Sequence, residues 1–127
     1  MNRASKRTIK NLAGVHYKLL LVVGYVLATS KQDFFVNEGL RTAEKQQKYF
    51  KKGASKLDGI NKKSAHQLGR AIDVYYTGWK NIDKADDTRW LTLIEAFRTA
   101  GIQLGIKLTF GYDWGWDKPH IELGKEE

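Results

Sequence analysis

The sequence has 127 residues, of which 42% are hydrophobic and 28% are charged, and it contains no cysteine. This length suits one domain with a real hydrophobic core. The lack of cysteine excludes disulfides, thiolate metal ligands and thiol nucleophiles. The net charge of +8 is unevenly distributed, because residues 41–70 contain nine Lys or Arg against two Asp or Glu, whereas residues 71–127 contain seven against ten. The basic middle of the chain should favour an anionic partner.

Near the N-terminus, four basic residues precede an apolar run at residues 12–28, a pattern that superficially resembles an export signal. His16 and Lys18 interrupt this run, and the uninterrupted part at residues 19–28 is too short to span a bilayer. The apolar side chains recur at helical spacing on one face: Leu12, Val15, Leu19, Val22, Val23 and Val26. The pattern therefore predicts a core helix that includes His16, and without a signal peptide we expect a cytoplasmic protein.

A strand and a helix are predicted next along the chain. Residues 33–38 are rich in aromatic and β-branched side chains and precede Gly39, which is typical of a strand before a turn. Thr42 can cap a helix that Gly53 closes. The polar residues 54–64 have neither helical nor strand periodicity, so they are predicted to form a loop.

The segment after this loop has the alternating pattern of a strand. Residues 71–76 read AIDVYY, in which apolar side chains alternate with more polar ones. Successive side chains of a strand point to opposite faces, so Asp73 should face away from Ile72 and Val74.

A second long helix is predicted at residues 88–100, started by Asp86 or Asp87 and ended by Gly101. Its inward face is predicted to contain Trp90, Leu91, Ile94 and Phe97. Residues 104–110 and 120–123 are two further short strands. Short, irregularly spaced strands between two or three main helices indicate an α+β fold, a single compact domain with a small antiparallel sheet.

Two of the three histidines lie in polar segments and are candidates for a metal site. His66 precedes Asp73 by seven residues, and two imidazoles with one carboxylate and an open fourth position form a recognised catalytic zinc set. Pro119 keeps its predecessor extended, so Asp117 and His120 can converge, one to bind metal and the other to handle a proton of water. On spacing alone, a structural interpretation is equally open, with His66 capping a turn and His120 hydrogen-bonded in a strand.

Three motifs resemble one known family. The segment SAHQLGRAID, from Ser64 to Asp73, matches S-x-H-x-x-G-x-A-x-D without a substitution, and WGWDKPH, from Trp114 to His120, is similar to a closing W-G-W-D-x-P-H motif. EGLRT, from Glu38, followed by Gln46, resembles a further segment of the same family. The family comprises zinc peptidases of bacterial cell walls, including D-alanyl-D-alanine carboxypeptidases and phage L-alanyl-D-glutamate endolysins.

The resemblance implies roles for individual residues. His66, Asp73 and His120 would bind one zinc ion in a surface cleft, and Asp117 would be the general base that takes a proton from the attacking water. Arg41 would supply positive charge to the substrate or the developing oxyanion. The residues implied to position substrate or support these groups are Ser64, Gln46, Trp114 and Trp116. An Asp base, where many carboxypeptidase relatives have Glu, favours the endolysin branch.

Some of these residues also have simpler interpretations. Arg41 could pair with Glu38 or Glu44 on a solvated surface, where such a contact contributes little to the stability of the fold. Trp114 and Trp116 are predicted to form wall and core of the cleft rather than platforms for sugars, while Trp79 and Trp90 pack in the interior. The lysines at residues 45–63 could form a solvated face, or attract anionic groups of the cell wall.

The sequence and the resemblance together predict a zinc metallopeptidase that cleaves the L-alanyl-D-glutamate bond of peptidoglycan stem peptides during host lysis. Residues 1–127 would be one catalytic domain without a cell-wall-binding domain. We expect a monomer made in the host cytoplasm that acts in the periplasm after release, with no membrane insertion and no nucleic-acid partner. The alternatives are a D-alanyl-D-alanine carboxypeptidase or dipeptidase and, from a different class, a basic nucleic-acid-binding module.

Overall fold

A computed structural model describes residues 1–84 and 87–127. In chain order its elements are helix α1 (Lys6–Asn11), helix α2 (Tyr17–Thr29), strand β1 (Phe34–Glu38), helix α3 (Ala43–Lys51), strand β2 (Ala71–Tyr76), helix α4 (Thr88–Leu104), strand β3 (Leu108–Phe110), a 3-10 turn (Gly111–Trp114) and strand β4 (His120–Leu123). These elements confirm the predicted α+β class. Among the described residues, no helix is long and apolar enough to cross a bilayer.

The described strands form one antiparallel sheet with the order β1-β2-β4-β3. Strand β2 is central, and its Asp73 pairs with Glu38 of β1 on one side and with His120 of β4 on the other. Residues that lie opposite each other in an antiparallel pair project to the same face. The register therefore brings three ionisable side chains together on one face of the sheet.

The hydrophobic core lies on the opposite face of the sheet, where helices α2 and α4 pack. Strand β2 alternates as predicted, with Ile72, Val74 and Tyr76 fully buried in this core. Helix α2 contributes Leu19, Val22, Val23 and Val26, and helix α4 contributes Trp90, Leu93, Ile94, Phe97 and Ala100. Because the core occupies one face, the other face is available for a site.

The N-terminal apolar run is part of the core, as predicted, but it is not one helix. Helix α2 begins at Tyr17, after a turn in which Gly14 has a φ of 78°, a left-handed conformation that favours glycine. Leu12 and Val15 therefore lie before this helix, although Val15 is buried. His16 is the N-cap of α2 rather than a residue within it, and its ring accepts a hydrogen bond from the Lys18 amide.

Helix α4 starts with an Asp cap but ends later than predicted. The side chain of Asp87 accepts a hydrogen bond from the Arg89 amide at 2.9 Å, whereas Asp86, the other predicted start, lies outside the described residues. The helix continues through Gly101 to Leu104, and the C-cap that follows is Gly105, with a φ of 68°.

Three predictions for this region need correction. Gly101 is inside helix α4, where a Cβ would come within 2.9 Å of the Ile106 carbonyl oxygen, so the glycine permits close packing and does not end the helix. Leu91 is 43% exposed and is not part of the inward face. Because the helix takes up residues 101–104, the following strand is limited to Leu108–Phe110 instead of residues 104–110.

Candidate metal centre and substrate cleft

His66, Asp73 and His120 bring three possible metal-binding atoms together on the open face of the sheet. Nε2 of His66 lies 3.2 Å and Nδ1 of His120 lies 3.5 Å from Oδ1 of Asp73. All three ligand atoms lie within 4.8 Å of one another. Such a cluster of two imidazole nitrogens and one carboxylate oxygen can hold a metal ion.

His66 reaches the cluster from the turn that precedes β2, and two hydrogen bonds fix this turn. The Arg41 amide donates to the His66 carbonyl at 3.1 Å, and the His66 ring contacts the Gly39 carbonyl through Nδ1 at 2.9 Å. A carbonyl only accepts, so Nδ1 carries the hydrogen and Nε2 is left with its lone pair facing Asp73.

His120 is oriented by a carboxylate that the sequence analysis did not identify. Its Nε2 lies 2.7 Å from Oε1 of Glu122, two residues further along β4 and therefore on the same face. A proton on Nε2 leaves Nδ1 free to bind a metal, as in the carboxylate–histidine pairs that support metal ligands. The alternation His-x-Glu in a predicted strand was the signal that could have identified Glu122.

The electrostatics of the cluster follow from this packing. Burial acts to raise the pKa of Asp73, but the adjacent imidazoles of His120 and His66 outweigh this effect and hold the pKa below its ordinary value. Burial acts to lower the pKa of His120, whereas Asp73 and Glu122 raise it to about 9. The carboxylates of Asp73 and Glu122 therefore stabilise positive charge between them, at the position of His120.

Asp117 lies beside the cluster without joining it. Its Oδ2 is 3.8 Å from Nδ1 of His120, beyond hydrogen-bond distance, and its side chain is 29% exposed to the cleft. Burial raises the pKa of Asp117 above its ordinary value, although the charge of His120 lowers it in part. A carboxylate with a raised pKa next to a metal-binding cluster is suited to accept a proton from water.

Arg41 lies on another wall of the cleft and is held in place by a buried network. Glu38 accepts from Arg41 and also pairs with Lys45 at 2.5 Å. Arg41 also donates through Nη1 to Oε1 of Gln46 at 2.8 Å and stacks on the ring of Tyr49.

The Arg41–Glu38 pair is not on a solvated surface, since the side chains are 11% and 9% exposed. In this network the pKa of Glu38 is below its ordinary value, because the hydrogen bonds from Arg41 and Lys45 exceed the opposing effect of burial.

The remaining predicted site residues differ in their positions. Ser64 is buried at the cleft and accepts a hydrogen bond from the Gln67 amide at 3.2 Å. Gln46 is fully buried behind Arg41 and donates to Ser55 and to the Leu57 carbonyl. It therefore supports the wall of the cleft from inside.

The two tryptophans of the closing motif form an exposed wall. Their rings lie 5.6 Å apart, and the ring of Trp114 is 5.3 Å from that of His120. Trp114 is 42% and Trp116 is 75% exposed, so neither belongs to a core. Trp90 is buried and packs as predicted, and Trp79 packs at the edge of the core.

These groups surround one cleft with a volume of about 970 Å³. The metal-binding cluster, Asp117, Arg41 and the two tryptophans all line it. A metal-binding set with a free carboxylate and a fixed guanidinium, open to solvent, is the arrangement of a metal-dependent hydrolase.

Comparison with known proteins identifies the family. A model of the phage L-alanyl-D-glutamate peptidase family matches residues 1–124, and the chain belongs to this family. It is 38% identical over 133 residues to the L-alanyl-D-glutamate peptidase of Escherichia phage T5, covering 93% of this chain and 95% of that protein. The crystal structure of the L-Ala D-Glu endopeptidase ChiX from Serratia marcescens superposes with a TM-score of 0.80 at 29% identity, covering 95% of this chain and 89% of that one.

Proposed function

We propose that this protein is a zinc-dependent endolysin that hydrolyses the bond between L-alanine and D-glutamate in peptidoglycan stem peptides. The observation that carries the proposal is the convergence of His66, Asp73 and His120 beside Asp117. The family model also matches almost the whole length of the chain. The activity named for its relatives from phage T5 and Serratia marcescens supports the choice of bond.

In this proposal His66, Asp73 and His120 hold one zinc ion. When bound, zinc acts as a Lewis acid and lowers the pKa of water to about 7. Gly39 and Glu122 keep the two imidazoles in the tautomers that leave a lone pair for the metal.

The chain's own groups perform the proton transfers and bind the substrate. Asp117 takes a proton from the attacking water and returns it to the amino group of D-glutamate as the bond breaks. Arg41, held by Glu38 and Gln46, lines the cleft and keeps its positive charge in a fixed position, where it can stabilise negative charge on the scissile carbonyl oxygen. Trp114 and Trp116 form the apolar wall along which the peptide lies.

We also propose that this domain carries the whole catalytic site and acts as a monomer on the cell wall after its release from the host cytoplasm. The cleft is built from side chains of one chain, so no second copy is needed to complete it.

Two soluble peptides test the bond assignment. One contains an internal L-alanyl-D-glutamyl bond and the other ends in D-alanyl-D-alanine, and each is incubated with protein containing one equivalent of zinc. We expect a new D-glutamyl amino terminus from the first peptide alone. Release of D-alanine from the second would move the protein to the carboxypeptidase branch, and no cleavage of either would refute a peptidase.

The metal is tested separately by elemental analysis and reconstitution. We expect one equivalent of zinc per chain, and restoration of activity to the chelator-treated protein by zinc. Protein that is inactive with zinc but active with another divalent ion would overturn the choice of metal.

A further inference from the structure

The lysines that follow Arg41 form a second charged feature, outside the metal centre. Residues 44–63 contain seven lysines and two acidic residues, Glu44 and Asp58. Lys45 pairs with Glu38 inside the cleft. The other six lysines are exposed, and among the described residues none of them has a carboxylate partner. We call these six residues the basic surface: Lys48, Lys51, Lys52, Lys56, Lys62 and Lys63.

Helix α3 arranges three of these lysines on one side. At about 100° per residue, Lys48, Lys51 and Lys52 lie roughly 140° to 240° around the helix axis from the buried Gln46. They therefore point away from the body of the domain. Glu44 lies within the same arc and offsets one charge.

The loop after α3 holds the other lysines against the helix. Gln46 donates to the Leu57 carbonyl at 2.7 Å, and the Gly59 amide donates to the Lys62 carbonyl at 3.1 Å. Oδ1 of Asp58 accepts from the backbone amides of residues 60, 61 and 62, so this carboxylate is engaged by the loop itself. Within the described part of the chain, the lysines of this loop therefore have no ion-pair partner.

The basic surface is continuous with the substrate cleft. Lys56 lines the cleft beside Tyr49 and Leu57, and Lys45 lines it one turn before Lys48 on helix α3. Unpaired like charges repel one another across distances shorter than the Debye length of about 8 Å, so a cluster of this kind is costly unless an anion binds to it.

We propose that the basic surface docks the enzyme on the polyanionic peptidoglycan around the bond being cleaved. This inference rests on the proposed function, because it takes the substrate to contain D-glutamate. A glutamyl residue within a chain uses one of its two carboxyl groups for the chain and keeps the other as a carboxylate, so every stem carries negative charge. The surface binds stems next to the one in the cleft and so increases the time spent on a polymeric substrate.

The test compares two variants with the same change in charge. The first is K48Q/K51Q/K52Q/K62Q/K63Q, which leaves Lys45 and Lys56 in the cleft unchanged. The control is K6Q/K10Q/K31Q/K80Q/K125Q, at exposed lysines elsewhere that have no ion pair among the described residues. Binding to purified sacculi is measured by sedimentation in the presence of a chelator, and hydrolysis is measured separately on a soluble L-alanyl-D-glutamyl peptide.

We expect the first variant to bind sacculi roughly 5-fold or more weakly, with a smaller dependence on salt, while the control binds nearly as the wild type. All three proteins should cleave the soluble peptide at similar rates. Equal loss in both variants would overturn the inference, since net charge alone would then explain binding. Tighter binding of the wild type to anionic phospholipid vesicles or to duplex DNA than to sacculi would also overturn it. Failure of the wild type to cleave the soluble peptide would instead refute the proposed function.

Discussion

His120 and Glu122 lie two residues apart on strand β4 and contact each other, with Nε2 of the imidazole 2.7 Å from Oε1 of the carboxylate. The strand makes this contact possible because residues i and i+2 project to the same face. The contact fixes the tautomer in which the other ring nitrogen, Nδ1, faces Asp73. A residue that itself lies outside the three-atom cluster therefore determines which atom of His120 is available to the metal.

Substitution of Glu122 should weaken metal binding without removing a ligand. We expect Glu122→Gln to lower the affinity for zinc about 10-fold to 100-fold, because the neutral amide is a poorer acceptor and no longer enforces the tautomer. Titration against a chromogenic chelator measures this affinity. Glu126→Gln, on an exposed carboxylate that pairs with Lys107, is the matched control and should bind zinc normally. An unchanged affinity in Glu122→Gln would refute the orienting role.

Loss of His66 should remove the metal but preserve the fold, because the core lies on the other face of the sheet. Zinc should raise the Tm of the wild type, since ligands of the native state stabilise it. His66→Ala should show no such increase and no activity. His16→Ala is the control, because it removes the N-cap of α2 and should lower the free energy of unfolding by about 1 kcal/mol. The Tm of this variant should still increase with zinc. Stoichiometric zinc in His66→Ala would contradict the ligand set.

Asp117 is tested by a change that keeps its shape. Asp117→Asn should reduce kcat about 100-fold to 10,000-fold, since an amide cannot accept the proton of the attacking water. Zinc content and thermal stability should be unchanged because Asp117 lies outside the cluster. Asp113→Asn, in the neighbouring 3-10 turn and paired with Arg98 at the surface, should retain activity. Near wild-type turnover by zinc-loaded Asp117→Asn would show that another group is the base.

Glu38 should link stability to pH through its pair with Arg41. The pKa of Glu38 in the folded state is below the ordinary value of 4.5. Its contribution to the free energy of unfolding is therefore complete above about pH 4.5 and is lost as the pH falls through the lowered pKa. Glu38→Gln should reduce the free energy of unfolding at pH 7 by about 1 to 3 kcal/mol. The difference from the wild type should shrink below pH 4.

Urea unfolding of both proteins at several pH values measures this effect. Glu44→Gln, on an exposed carboxylate of helix α3, should differ little from the wild type at any pH. A destabilisation by Glu38→Gln that is the same at pH 7 and pH 3 would indicate a packing effect in place of the ion pair.

Local patterns in the sequence predicted the elements that carry the site. The alternation at 71–76 gave both the strand and the face of Asp73, and Thr42 and Asp87 cap their helices as expected. The residues of the candidate metal-binding cluster could be predicted from the sequence because they fall in short motifs. Only the register of β2 with β4, which is a long-range property, brings Asp73 and His120 together in space.

The errors arose where tertiary packing overrides local signals. A glycine at position 101 is typical of a helix end, but the absence of a side chain there permits close contact with the segment after the helix. Gly105 provides the left-handed conformation that follows the helix. Strand alternation from Phe34 and Val36 would bury Glu38 in the core. An irregularity in register between Val36 and Glu38 instead places Glu38 opposite Asp73, and such a β-bulge has no reliable signal in the sequence.

The central claim is that this metal-binding cluster hydrolyses the bond between L-alanine and D-glutamate in the cell wall. The most direct test incubates purified Gram-negative sacculi with zinc-loaded protein and with chelator-treated protein, followed by mass spectrometry of the new termini. We predict D-glutamyl amino termini that appear only when zinc is present. The same termini at full yield without metal, or a zinc-dependent product cut at a different bond, would contradict the account.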